Sequence, residues 1–301
     1  MLLDRLNAVH WSWLVYLEMF VAGIGAGAYL VAVLLEWQGR GRSSTARAAH
    51  LIAFPLIAVA TVLLILDLDR PERFWHMVLM SKWALPILKT WSPISYGSWL
   101  VMAFTVVAFV SFVDALIAGA LFSLGGWRRG RTLHGGPLGA AWSLLGAALA
   151  FAVGTYSGVL LSATNVQGWG QTVLIPAAYV ATAVVTGVAA VVLVQAIRGH
   201  LDADVVALWR TNAWLLALWL VVAVAFLLAL TDGSARFFLF GLPLTAVVLA
   251  LVLGGVVPLL LGFARPERRA GLLSVSALLV LLGGFLLRYA IIAGPQAYLG
   301  P

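Results

Sequence analysis

The amino-acid sequence predicts an all-α fold, a polytopic membrane protein with eight transmembrane helices. Of its 301 residues, 63% are hydrophobic and only 10% are charged, whereas a soluble domain carries about a quarter charged residues. The apolar residues form eight continuous runs, each near the roughly twenty residues that a helix needs to cross a bilayer. The alternating segments of about ten residues that are typical of a membrane β-barrel do not occur in the sequence.

The eight apolar runs define the predicted helices in order along the chain. A single run that crosses the hydrocarbon core must satisfy its backbone N–H and C=O groups internally, as a helix does. Short clusters of arginine lie between apolar runs, as in the cytoplasmic loops of membrane proteins. The predicted spans cover approximately residues 12–36, 50–67, 95–118, 138–162, 173–198, 208–230, 238–262 and 272–293.

The first span contains three glycines at alternate positions, Gly23, Gly25 and Gly27. A dinucleotide-binding turn has a similar glycine pattern, but it requires a preceding strand, and this segment lies at bilayer depth. Small residues in a membrane helix allow a second helix to approach closely. We therefore predict that these three glycines serve helix packing.

The distribution of basic residues predicts which side of the membrane each loop faces. The loops after spans one, three, five and seven carry eleven arginines, against six basic residues on the opposite side. Cytoplasmic loops are enriched in Lys and Arg, so both termini are predicted to face outward, to the periplasmic side of the cell inner membrane. The first set is Arg40, Arg42, Arg47, Arg128, Arg129, Arg131, Arg198, Arg210, Arg265, Arg268 and Arg269, and the second is Arg5, Arg70, Arg73, Lys82, Lys89 and Arg236.

The longest connection on the predicted outer side covers residues 68–94. Pro71 follows Asp69 and Arg70 at a position typical of the first turn of a helix. Phe74 and Trp75 follow, so a short amphipathic helix is predicted to lie in the membrane interface. An aromatic belt explains most of the tryptophans near this boundary, which are Trp11, Trp13, Trp75, Trp83, Trp91, Trp99 and Trp169.

Several function classes are excluded by composition and by the placement of histidine. The net charge of +7 resides largely in membrane loops, so no nucleic acid is predicted as a partner. The chain has no cysteine, which excludes iron–sulfur clusters and thiolate metal sites of its own. A membrane cytochrome b holds haem between histidines on facing helices, but the histidines here fall in predicted loops or at span ends. They are His10, His50, His76, His134 and His200, and we predict neither haem nor metal.

Polar groups inside membrane spans are costly and mark functional sites. Glu18, Tyr156 and Arg288 lie roughly 10 Å below the outer surface, counting 1.5 Å of rise per residue. Asp67 closes span two on the same side, and Ser157 follows Tyr156. One interpretation is a structural ion pair between Glu18 and Arg288. The other is a quinone-binding pocket formed by these five residues, in which Glu18 or Tyr156 hydrogen-bonds a carbonyl of the lipid-soluble quinone and exchanges its protons.

Two acidic residues lie near the predicted inner ends of their helices, Glu36 in span one and Asp114 in span three. Either residue could serve a proton path that opens to the inner side. Either could equally be a solvated charge at a helix end, which needs no functional explanation. The sequence leaves both interpretations open.

Four segments of the sequence together resemble signatures of the NrfD/PsrC family, the membrane subunits of polysulfide-reductase-type complexes. They are LDLDRPERFWH at residues 66–76, SPISYGSW at 92–99, TYSGVLLS at 155–162 and GGFLLRY at 283–289. With the start of span one, these segments extend from residue 11 to about residue 295. Each segment alone is short, but their combination is specific.

The resemblance implies two four-helix bundles and a quinone pocket near the outer face of the first. The N-terminal bundle would comprise residues 1–134 and 135–162, including the outer connection 68–94, and the C-terminal bundle residues 173–293. Menaquinone or ubiquinone would be the bound substrate. The implied partners are a ferredoxin-like iron–sulfur subunit and a molybdopterin catalytic subunit, both on the outer side.

Carried over by position, the resemblance implies that Glu18 and Tyr156 are the reactive pocket residues, with Asp67 and Arg70 at the mouth. Asp69 stands where the family commonly has Gly. Glu18 stands where some members have His, so the protonation chemistry at the ligand does not transfer from those members.

The predicted function is therefore a quinone-reactive membrane anchor of a respiratory oxidoreductase complex. Two alternatives remain, a secondary transporter and a purely structural membrane anchor. A transporter would place charged residues near the bilayer midplane, and the predicted spans carry none at that depth.

Overall fold

The structure is a computed structural model that describes residues 11–79, 85–89, 91–119, 136–164, 166, 168–170, 172–230, 234–263 and 270–299. Over these residues, eight helices are long and apolar enough to cross a membrane, which confirms the predicted all-α fold with eight spans. They are α1 (Trp13–Trp37), α2 (Ser44–Leu66), α3 (Pro93–Ala118), α4 (Gly136–Ser162), α5 (Leu174–Ile197), α6 (Ala203–Leu228), α7 (Gly241–Phe263) and α8 (Ala270–Leu299).

We call the end of the helix array that holds the start of α1 the outer end, after the predicted orientation, and the opposite end the inner end. The orientation itself stays a prediction. Many residues on which it depends lie outside the described part of the protein, namely Arg5, Lys82, Arg128, Arg129, Arg131, Arg265, Arg268 and Arg269, as do His10, Trp83 and His134.

Capping residues explain why two helices begin earlier than predicted. The Ser43 side chain accepts a hydrogen bond from the Ala46 N–H at 3.1 Å, so α2 begins at Ser44 and not near residue 50. In the same way, Asp202 accepts from the Val205 N–H at 3.0 Å at the start of α6. The prediction that His50 lies in a loop or at a span end is therefore wrong, because His50 is buried inside α2.

Helices that are consecutive in the sequence pack against one another, and each half of the protein closes on itself. In the first half α1 also contacts α4, and in the second half α5 also contacts α8. The two halves meet mainly where α5 packs against α1 and α4. This pattern is compatible with the expectation of two four-helix bundles, which stays an expectation.

The three glycines of α1 lie at three different contacts. Gly25 faces the backbone of α2, with the Ala53 carbonyl oxygen 3.1 Å from the position that a Cβ would occupy. Gly27 faces α5, where a Cβ would collide with the backbone of Ala183. Gly23 lies against the guanidinium of Arg288 in α8. The packing prediction is confirmed, since a side chain at any of these positions would force its neighbour to move.

The outer connection folds into a 3-10 helix, Pro71–Met77, that begins at the predicted proline. Its Phe74 and Trp75 are exposed, as expected for a segment in the membrane interface. Trp169 departs from the aromatic-belt interpretation, because it is fully buried and its indole N–H donates to the Ile291 carbonyl at 2.7 Å. This tryptophan therefore fastens α8 to the connection between α4 and α5.

The helix α7 is interrupted by a π-helical segment, Ala250–Val256, between two α-helical parts, Gly241–Leu249 and Val257–Phe263. Within the segment, Gly254 lies against the backbone of Gly283 in α8. A second short 3-10 helix, Ser234–Phe237, precedes α7. These elements bring α8 close to α7 on one side and to α5 on the other.

Candidate functional site

Glu18 lies on the second turn of α1 and is buried. Among the described residues, none forms a hydrogen bond with its carboxylate, although Arg288 and Asp67 are close enough to interact with it electrostatically. A buried polar group without a partner costs about 1–3 kcal/mol, and a charged one costs more. Such an open carboxylate inside a membrane span is the arrangement expected at a ligand site.

Arg288 is also buried, but its hydrogen bonds go to the backbone. One guanidinium nitrogen donates to the Met19 carbonyl of α1, and the other donates to the Tyr179 carbonyl of α5 at 3.0 Å. The guanidinium also lies over the Tyr179 ring, 4.7 Å from its centroid. Among the ion pairs of the described residues, none joins Arg288 to Glu18.

Tyr156 lies on α4, near the outer end of that helix. Its hydroxyl donates to the Pro93 carbonyl at the start of α3, at 3.1 Å. Its ring covers Gly97, where a Cβ would collide with the phenol. Tyr156 is close enough to Glu18 for the two groups to interact electrostatically. Its neighbour Ser157 is buried on α4 and does not line the groove described next.

A groove of about 540 Å³ separates α3 from α4 at the outer end. Its walls are almost entirely apolar, and Tyr156 lies within its lining. The full lining comprises Trp91, Pro93, Tyr96, Leu100, Phe151, Ala152, Thr155, Tyr156 and Val159. Phe151 and Val159 are exposed on the lateral surface, so the groove opens toward the space that lipid would occupy.

Asp67 joins the outer ends of α1 and α2. It is the C-cap of α2, and it accepts a hydrogen bond from the Ser12 hydroxyl. Ser12 in turn caps α1 by accepting from the Leu14 N–H at 3.1 Å. Since Asp67 also interacts electrostatically with Glu18, the structure brings these two predicted site residues into one neighbourhood.

Arg70 lies in a second cavity, of about 460 Å³, on the outer side. Residues 91–95 separate this cavity from the apolar groove, because Trp91 and Pro93 line the groove while Ser92, Ile94 and Ser95 line the cavity. Its lining is mostly polar and basic, with Arg70, Arg73, His76 and Lys89 beside Asp69. The predicted mouth residue Arg70 is thus next to the groove and not part of its wall.

At the inner end, Glu36 belongs to a compact cluster of hydrogen bonds. It contacts the His50 ring nitrogen at 2.7 Å and accepts from the Ser143 hydroxyl at 2.5 Å. About two turns before Glu36 in α1, the Tyr29 hydroxyl lies 3.0 Å from the Ser111 hydroxyl of α3. The buried residues of this region include His50, Ser143, Tyr29 and Ser111. Asp114, the other acidic residue predicted at this end, is half-buried on α3.

Sequence reasoning missed Tyr179 and His50. Tyr179 lies five residues from the outer end of α5, so the depth rule that selected Glu18 and Arg288 would also have selected it. His50 was missed because the start of α2 was placed too late. Neither residue suggests a metal, since the described residues contain no group of three His, Asp or Glu side chains that could hold an ion.

Comparisons with known proteins extend over nearly the whole sequence. The NrfD family, described as Polysulphide reductase, NrfD, matches residues 2–300. The C subunit of polysulfide reductase from Wolinella succinogenes is 26% identical over an alignment of 339 residues. That alignment covers 99% of this protein and 98% of the relative, so the similarity extends from end to end.

Proposed function

The chain belongs to the NrfD polysulphide reductase family, and from this premise we propose that it is the quinone-reactive membrane subunit of a respiratory oxidoreductase complex. The relative in Wolinella succinogenes is the C subunit of a polysulfide reductase. In the proposed role, the subunit connects electron transfer in its partners to a carrier dissolved in the membrane. The protein has no cysteine and no group of metal ligands among its described residues.

The observation that carries the proposal is the open carboxylate of Glu18. It is buried at the level of Tyr156 and has no hydrogen-bond partner among the described residues. A quinone headgroup presents two carbonyl oxygens and, once reduced, two hydroxyl groups, so it can pair with a carboxyl group and a phenol. An apolar slot with a few convergent polar groups is the usual form of such a site.

The groove between α3 and α4 would bind the hydrophobic tail of the quinone. Its lining is apolar apart from Tyr156 and Thr155, and it opens on the lateral surface. An isoprenoid tail would lie along Leu100 and Phe151 and extend into the bilayer, while the headgroup reaches Tyr156 and the Glu18 level. Binding would then require no passage through water.

The proposed residues supply proton transfer, and a partner supplies the electrons. Reduction of a quinone to a quinol takes two electrons and two protons, and oxidation releases the same numbers. Glu18 would exchange a proton with one oxygen of the headgroup. Tyr156, whose hydroxyl donates to the Pro93 carbonyl in the structure, would turn to the ligand and exchange a proton with the other oxygen. Asp67 would hold the outer ends of α1 and α2 together beside them. The same residues serve both directions, because each proton that reduction takes up is one that oxidation releases.

We further propose that the partners are an iron–sulfur subunit and a molybdopterin catalytic subunit, bound at the outer face. The basic cavity around Arg70 and Lys89 lies beside the groove, where a partner would have to come close to the headgroup. The protein would lie in the cell inner membrane with both termini outward, following the distribution of its arginines.

The inner cluster takes no part in this proposal. Between Tyr29 and Glu18, the buried face of α1 carries Ala22, Gly23 and Ala26, which offer no side-chain hydrogen bonds. Glu36 is moreover occupied by His50 and Ser143. A proton path through Glu36 and Asp114 would need groups that bridge this apolar layer.

The test is quinone-coupled turnover of the purified complex with Tyr156→Phe, which removes only the phenol hydroxyl. We expect turnover with quinone to fall by about a hundredfold or more, since one positioned proton-transferring group contributes about 10²–10⁴-fold. The matched control is Tyr289→Phe, at a half-buried tyrosine of α8 that packs edge-on against Tyr16 and does not line the groove.

Turnover with a soluble dye, which bypasses the quinone, and the assembly of the complex should stay unchanged in both variants. Equal quinone kinetics in Tyr156→Phe, Glu18→Gln and the parent complex would instead favour a purely structural membrane anchor. A secondary transporter would show substrate uptake into vesicles by the isolated subunit, in the absence of any electron donor.

A further inference from the structure

We infer that Arg288 is a positioning residue of the quinone site, which fixes the turn of α1 that carries Glu18 by binding the backbone of α1 and α5. This inference rests on the proposed function. Arg288 is 2% exposed, and its two terminal nitrogens bind carbonyls on two different helices. It does not line the groove between α3 and α4.

The first contact of Arg288 is to the residue next to Glu18. The guanidinium donates to the Met19 carbonyl of α1. Within the helix, that carbonyl also accepts from the N–H four residues later, which belongs to Gly23. Gly23 leaves the space that the guanidinium occupies, because a Cβ there would collide with it. The Arg288 guanidinium can therefore reach the Met19 carbonyl because residue 23 has no side chain.

The second contact of Arg288 ties the same turn to α5. The other nitrogen donates to the Tyr179 carbonyl at 3.0 Å, and the guanidinium lies 4.7 Å from the centroid of the Tyr179 ring. One side chain of α8 therefore holds α1 and α5 together at the depth of Glu18. The planar guanidinium, with its fixed fork of donors, is suited to two carbonyls at once, and an ammonium group is not.

These contacts also explain why Glu18 remains available. Arg288 directs its terminal donors at backbone carbonyls, and among the described residues no ion pair joins it to Glu18. If the two side chains formed a bidentate pair, the carboxylate oxygens would be occupied and could not bind a quinone oxygen. The arrangement keeps a cation near the carboxylate while leaving the carboxylate open to a ligand.

The test compares two independent changes to this contact in the assembled complex. Arg288→Lys keeps the charge but removes the second donor arm, and Gly23→Ala places a methyl group where the guanidinium lies. We expect each to lower kcat with quinone by about tenfold to a hundredfold, since displacement of a reacting group by about 1 Å can cost a hundredfold. KM should stay within about twofold, because the apolar groove is unchanged.

The matched control is Thr182→Val in α5. Thr182 is buried one turn from Tyr179 and accepts a hydrogen bond from the Trp219 indole at 2.8 Å. Replacing its hydroxyl removes a buried hydrogen bond between α5 and α6 one turn from Tyr179 and leaves the two hydrogen bonds of Arg288 in place. We expect kcat and KM with quinone to stay at the values of the parent complex. Assembly of the complex and turnover with a soluble dye are measured for every variant.

The inference is supported if Arg288→Lys and Gly23→Ala both lose kcat at constant KM while Thr182→Val does not. An unchanged kcat in both variants overturns it. A rise in KM without a loss of kcat also overturns it, since that result marks Arg288 as a direct ligand contact. An equal loss in Thr182→Val overturns it as well, because any loosening of α5 would then suffice. Glu18→Gln and Tyr156→Phe distinguish a failure of this inference from a failure of the proposed function. If both variants leave quinone turnover intact, the proposed function itself fails.

Discussion

The two buried carboxylates of α1, Glu18 and Glu36, differ in how their oxygens are satisfied. Glu36 is held by His50 at 2.7 Å and by Ser143 at 2.5 Å, so its acceptor capacity is used within the protein. Glu18 has no hydrogen bond among the described residues. The two residues are roughly 27 Å apart along the helix, at 1.5 Å per residue, and they lie toward opposite ends of the span.

The same residue type on the same helix is therefore satisfied within the protein at one position and has no hydrogen-bond partner among the described residues at the other. A buried carboxylate with two good partners stabilises the contact between α1, α2 and α4. The carboxylate of Glu18 has no such partner among the described residues, so its oxygens are available to a ligand. This contrast supports the proposal that the outer carboxylate contacts the ligand and that the inner one serves packing.

The largest effect expected from this comparison is on quinone turnover. Glu18→Gln should lower quinone-coupled turnover of the complex by about a hundredfold or more, because the amide cannot exchange a proton with the ligand. Glu36→Gln, the same change at the inner end, should leave quinone turnover within about twofold. Steady-state kinetics on both variants measures the contrast. Comparable losses in the two variants would restore the inner proton path as a function of Glu36.

The second effect is on stability and should fall on the inner cluster. His50→Ala removes the partner of a buried carboxylate, and we expect it to lower the free energy of unfolding by about 1–3 kcal/mol. The exposed His200 gives a matched control, and His200→Ala should leave stability unchanged. Unfolding of the purified protein in mixed micelles provides the measurement. Equal stability of the two variants would contradict the packing role.

The smallest effect concerns the apolar groove between α3 and α4, whose lining includes Tyr156. Phe151→Ala shortens an apolar side chain in the groove wall, which loses contact area for the tail but no proton-transferring group. We expect KM for quinone to rise by about threefold to tenfold with little change in kcat, which corresponds to about 0.6–1.4 kcal/mol of lost burial. Phe263→Ala, at an exposed position at the inner end of α7, is the control. A loss of kcat alone would place Phe151 at the headgroup and not along the tail.

Much of the fold could be predicted because lipid imposes a simple rule on composition. Eight apolar runs correspond to eight helices, and the errors lie at their ends, where capping by Ser43 and Asp202 extends helices into polar sequence. Such caps add several residues to a helix without adding hydrophobicity. The same error placed His50 at the start of span two, whereas it lies in the second turn of α2, and so concealed the inner cluster.

The polar residues at the outer level could be found by counting depth, but their contacts could not. Glu18, Tyr156 and Arg288 were identified as candidates at one depth, with an ion pair and a pocket both open as interpretations. The choice between them depends on where the guanidinium of Arg288 points. That direction is set by the backbone carbonyls of Met19 and Tyr179. Because every residue has a backbone carbonyl, the sequence does not indicate which carbonyls a guanidinium will bind.

The sequence by itself determined the membrane setting, the number of spans and the depth of the polar residues, because these follow from hydrophobicity and from a fixed rise per residue. Only the tertiary structure decided which carboxylate is satisfied and which is open. That property depends on the rotation of each helix and on contacts between residues far apart in the sequence, such as Glu36 with Ser143 and Arg288 with Met19. Rotating a helix about its axis changes those partners while leaving composition and depth the same.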